Sequence, residues 1–99
     1  MAVRQTIEIS RPSAAISFYS FDDTTEKYIE TNYTKTNKRT LVSISVSRNS
    51  LVKTLVYDFT DNDTLQEFLN DSSLTDFFNS RDSHYVSNGI TITTSAENV

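Results

Sequence analysis

The 99-residue sequence has no cysteine and only one glycine, one proline and one histidine. Without cysteine there can be no disulfide, no thiolate metal site and no cysteine nucleophile. A single glycine cannot build the loops that bring backbone N–H groups against phosphates, so phosphate-loop and dinucleotide motifs are absent. The one histidine, His84, lacks the companions that a metal site or a Ser-His-Asp arrangement requires. It reads as a surface or helix-end residue. No apolar run approaches the roughly 18 residues of a membrane helix. The first ten residues carry one arginine and then alternate, unlike the basic-then-apolar layout of a signal peptide. These absences predict no cofactor, no metal, no membrane association and no visible export.

What the chain does have is hydroxyl and aromatic side chains. Fourteen serines and fourteen threonines favour strands and short polar turns over flexible linkers. The hydrophobic fraction is only 36%, yet five tyrosines and six phenylalanines can supply a core. A chain of this length supports one core, so residues 1–99 are expected as a single α+β domain with a polar tail at about 95–99. The net charge of −4 is unevenly spread. Residues 1–53 hold eight basic and five acidic side chains, whereas residues 54–99 hold one basic and eight acidic ones. Opposite signs on the two halves would bias contacts between copies.

Periodicity gives the element order. Val3, Ile7 and Ile9 alternate with polar residues, a half-buried strand closed by Arg11-Pro12. Residues 13–20 read as a connector with apolar anchors. A first helix is signalled by Phe21, Thr25, Tyr28, Ile29 and Tyr33, spaced by three, four and five, with Asp22 and Asp23 at its start. Ser20 with Asp23, or Asp23 with Glu26, resembles a capping box. Lys35, Lys38 and Arg39 form a basic cluster at or just past its end. Residues 40–59 then read as a hairpin around Asn49-Ser50, pairing Val46 with Lys53, Ile44 with Leu55 and Val42 with Tyr57. That register puts Val42, Ile44, Val46, Leu55, Tyr57 and Phe59 on one face, with Leu41, Val52 and Val56 on a hydroxyl-rich opposite face. A second helix begins at Asp61 or Asp63 and carries Leu65, Phe68 and Leu69. Its stripe changes phase at Leu74, Phe77 and Phe78, which predicts a break near 70–73, with Ser73 and Asp76 as a second capping signature. Gly89 suits a left-handed helix end, and Ile90 and Ile92 open a last Thr-rich strand.

This β-α-β-β-α-β order resembles the ferredoxin-like superfold, which implies an antiparallel four-stranded sheet with two helices on one face. The hairpin and the broken, Phe-rich second helix are similar to small dimeric α+β-barrel proteins of the antibiotic-biosynthesis-monooxygenase type. Members of that family pack two sheets face to face, and here Leu41, Val52 and Val56 would supply such an interface. An RNA-recognition sheet needs exposed aromatics and a basic surround; the hydroxyl face and acidic chain predict no nucleic-acid partner unless Tyr57 or Phe59 lies on the open face. In composition the chain resembles small virion proteins of tailed bacteriophages. The leading expectation is a non-enzymatic structural or interaction module, partnered by itself or by other assembly proteins, in a virion or the cytoplasm. One alternative is a small cofactor-free enzyme with His84, Tyr85 or Tyr57 lining a cavity of roughly 300 Å³ or more. Another is an acidic regulatory or inhibitory domain, for which Asp58, Asp61, Asp63, Asp71, Asp76 and Asp82 would have to cluster.

Overall fold

A computed structural model describes residues 2–19 and 22–99. Strands β1 (Val3–Ser10), β2 (Arg39–Val46), β3 (Val52–Phe59) and β4 (Thr91–Asn98) form one antiparallel sheet in the order β2-β3-β1-β4. Helix α1 (Asp23–Ile29) connects β1 to β2, while α2 (Asn62–Leu69) and α3 (Thr75–Asn88) connect β3 to β4. Val3, Gln5, Ile7 and Ile9 are the buried positions of β1. They fix which face of the sheet the helices cover, because side chains alternate along a strand.

Two apolar clusters fill the space beneath the helices. At one end of the sheet, Ile29, Tyr33, Leu65, Phe68 and Leu74 pack on Val3 and Phe59. At the other, Tyr85 and Ile90 pack on Ile7 and Ile9, with Ile16, Phe18 and Tyr19 laid against them. The segment before α1 is thus a connector with apolar anchors, as its pattern predicts.

Local chemistry sets the helix boundaries. Asp22 caps α1 by accepting from the Thr25 N–H (2.6 Å), so the Asp23–Glu26 box is not the cap; the Ser20–Asp23 box involves Ser20, which with Phe21 lies outside the described residues. Residues 30–34 continue α1 as a π-helical turn, and this accounts for the spacing of five between Tyr28 and Tyr33. Asp61 caps α2 through the Thr64 N–H (2.8 Å). The expected break follows, with a 3₁₀ turn at Ser72–Leu74 capped by Asp71 rather than by a Ser73–Asp76 box. Gly89 ends α3 in the left-handed region (φ 68°). Residues 95–98 of the polar tail belong to β4, where Ser95 faces Thr6 and Asn98 faces Val3.

The hairpin register is as predicted from its turn to Ser43↔Val56 and then changes. A bulge between Leu41 and Ser43 pairs Leu41, not Val42, with Tyr57 and Arg39 with Phe59. One extra residue flips every side chain upstream to the other face. Leu41 therefore sits on the helix side, and the chain carries Arg39 inward, apart from the exposed or half-exposed Lys35 and Lys38.

Candidate functional site

A cavity of about 300 Å³ lies between the sheet and the α2–α3 pair. Its floor is Gln5 and Ile7 of β1 with Thr94 of β4, and Arg39 reaches in from β2. Phe68 and Leu69 of α2 and Phe77, Phe78 and Tyr85 of α3 form the helical wall. Arg81 and Tyr19 complete it.

The burial alternation of β1 places Gln5 in a row otherwise occupied by Val3, Ile7 and Ile9. Its side-chain Oε1 is buried without a hydrogen-bond partner, as is Nε of Arg39. Buried polar groups are nearly always paired, so two on one cavity are unusual. The Arg39 guanidinium carbon lies 3.5 Å from the Tyr57 ring centroid and 4.7 Å from that of Phe68. Arg39 is only 8% exposed. Burial pulls its guanidinium below the ordinary value, and Tyr57 partly offsets this. Arg81 stacks over Phe78 at 5.1 Å and pairs with Asp82 at 3.2 Å. Burial likewise pushes the Tyr85 phenol up.

The cavity lining contains no histidine, carboxylate, lysine or thiol among the described residues. Proton transfer near neutral pH needs a positioned group that titrates there. This arrangement can hold an anion against an aromatic wall. Nor do three or more His, Cys, Asp or Glu side chains of the described residues converge as a metal set would require.

No family model and no curated protein matches the chain. A solved structure does: the crystal structure of a dimeric ferredoxin-like protein from an uncultured marine organism. It superposes with a TM-score of 0.58 over 99% of this chain and 94% of that one, at 17% sequence identity. The fold is ferredoxin-like.

Within this ferredoxin-like sheet, the three residues expected to form an interface do not share a face. Val52 and Val56 are half-buried on the open side, across from Ser10 and Thr6. Around them lie Thr54, Ser43, Ser45 and the Arg4–Asp58 ion pair (2.9 Å). Leu41 is on the helix side and 49% exposed, beside Glu26, Glu30 and Tyr57 in a second cleft. Ile44 (53%) and Val46 (52%) continue that strip along the edge strand β2. Tyr57 and Phe59 face the helices, so the condition for an RNA-recognition sheet is not met.

Of the three candidate pocket residues, Tyr85 lines the cavity and the other two do not. His84 Nε2 donates to the Ser17 carbonyl (3.0 Å) and its ring packs on Tyr19, tying the connector to α3. Arg39 and Gln5 were not singled out by sequence reasoning. The only available signal was a glutamine at an apolar position of an alternating strand. Among the described residues, no helix is long and apolar enough to cross a membrane.

Proposed function

We propose that this chain is a non-enzymatic interaction module that works as a pair of ferredoxin-like copies joined through β2. The observation that carries the reading is the exposed helix-side strip Leu41, Ile44 and Val46 on an edge strand. Edge strands with exposed apolar side chains are templates for association. The structural neighbour's description as dimeric supports the same direction.

Charge makes a second copy the fitting occupant. Glu26 and Glu30 flank the Leu41 end of the strip, while Lys53 sits across from Val46 at the other end. A two-fold axis near Ile44 would lay the strip on itself and bring the acidic end of one copy to the basic end of its partner. Interfaces of standard size bury about 1,200–2,000 Å² in total, so the strip would be the centre and α1 and the hairpin the rim. The open face, with its hydroxyls and ion pair, is less suited to a face-to-face barrel. The cavity lined by Tyr85 would suit the cofactor-free enzyme as well; the exposed edge strip is what favours self-association. The likeness in composition to phage virion proteins adds no residue to this reading, which is confined to self-association.

Ile44→Glu places a charge at the centre of the strip without touching the core. In analytical ultracentrifugation the wild-type chain should sediment as a dimer and Ile44→Glu as a folded monomer. A wild-type chain that is monomeric at tens of micromolar, or an Ile44→Glu variant that still dimerises, would sink the proposal.

A further inference from the structure

We propose that the cavity between the sheet and the α2–α3 pair binds a small aromatic carboxylate that carries a hydroxyl donor. Arg39 supplies the first argument. It is 8% exposed, and none of the ion pairs formed by the described residues includes it. Acidic side chains of the neighbouring elements are otherwise engaged or set apart. Glu67 bonds Lys38 (3.2 Å), Asp71 bonds Tyr28 and Tyr33, and Glu30 pairs with Lys35 (3.9 Å). Glu26 lines the cleft on the far side of Arg39 without pairing to it. A buried charge without a counter-charge is costly and is seldom kept for stability alone.

The bulge strengthens this point. An unbroken hairpin register would leave Arg39 on the open, solvated face; the inserted residue turns it inward. Bulges are over-represented where a side chain is re-aimed at a site.

Charge and donor counts then define the ligand. Arg81 is already balanced by Asp82, which leaves the net charge of one guanidinium at the cavity. That suits a monoanion, whereas a phosphate dianion would find too few donors. Arg39 Nε offers a free N–H and Gln5 Oε1 a free acceptor, so the ligand should present a carboxylate to the first and a hydroxyl hydrogen to the second. Phe68, Phe77 and Phe78 line the wall with ring faces and edges, and about 300 Å³ accommodates a single substituted ring.

The probe is 4-hydroxyphenylacetate, titrated into the full chain by isothermal calorimetry and by chemical shifts of the Gln5 and Arg39 side-chain N–H groups. It should bind with those signals shifting. Phenylacetate should bind more weakly by about tenfold, since it leaves Gln5 Oε1 unpaired. The neutral 4-hydroxyphenylacetamide and inorganic phosphate should not bind. Arg39→Met keeps an unbranched apolar stem as far as the position of Nε and removes an unpaired buried charge, so it should melt at or above the wild-type temperature while losing the ligand. A purely structural guanidinium would instead lower the melting temperature. Gln5→Met serves as the second variant and should make the two carboxylates equivalent. Absence of carboxylate binding overturns the assignment, as does equal binding of the amide, preferred binding of phosphate, or unchanged 4-hydroxyphenylacetate affinity in either folded variant.

Discussion

Asp71 gathers three elements around one carboxylate. Its Oδ2 accepts from the phenols of Tyr28 (2.7 Å) and Tyr33 (2.6 Å), and Oδ1 from the Ser73 N–H (2.9 Å). Burial pushes its pKa up, but the three hydrogen bonds outweigh that, and the carboxyl ends below its usual value. A depressed folded pKa gives stability that is present above the unfolded value of about 3.9 and lost as pH falls through the folded value. Asp71→Asn should therefore cost about 1–3 kcal/mol at pH 7 in urea unfolding, with the deficit shrinking below pH 4. Tyr33 has the opposite sign. Burial, then Asp71, raise its phenol, so its contribution is full below about pH 10 and erodes in more alkaline solution. Neither role can be read from the sequence, where Asp71 is one of eight acids in the second half and Arg39 one of three clustered cations. Partners that stand 38 or 43 residues away leave no local pattern.

Elements were far more legible, because their signals are local. The alternation of β1, the Asp61 cap, the broken second helix and the Gly89 stop all follow from spacing and residue type within a turn or two. Gly89 gives a direct test. A Cβ there would meet Pro12 Cγ at 3.7 Å, an ordinary contact, so the penalty of Gly89→Ala comes from the left-handed backbone alone. We expect about 1–2 kcal/mol of destabilisation by thermal unfolding, and less for Gly89→Asn, which tolerates that conformation better. The bulge at Leu41–Ser43 is the element-scale feature that the pattern missed. Leu41 and Val42 are both apolar and both exposed (49% and 46%), so binary patterning offers no preference for either register. Burial of Arg39 follows from the choice.

At the scale of the whole molecule, four of the six acids that would have marked an inhibitory surface are engaged in separate tasks. Asp58 pairs with Arg4 on the open face, Asp61 caps α2, Asp71 ties the break, and Asp82 pairs with Arg81 on α3. The charge asymmetry bears instead on the proposed pairing of copies. Lys53→Glu should weaken the dimer a few-fold, in keeping with rim ion pairs of about 0.2–1 kcal/mol each. Combining it with Glu26→Lys should restore the wild-type dissociation constant in sedimentation; a double variant as weak as the single one would refute the antiparallel strip geometry. By itself the sequence determined the element order, the α2 start near Asp61, the α3 end at Gly89 and the ferredoxin-like class, since periodicity and caps act over a few residues. Only the tertiary structure decided which face Leu41 and Arg39 take and that a cavity opens above Gln5. A one-residue bulge and contacts across three strands set those outcomes, and their energies depend on residues far apart in the chain.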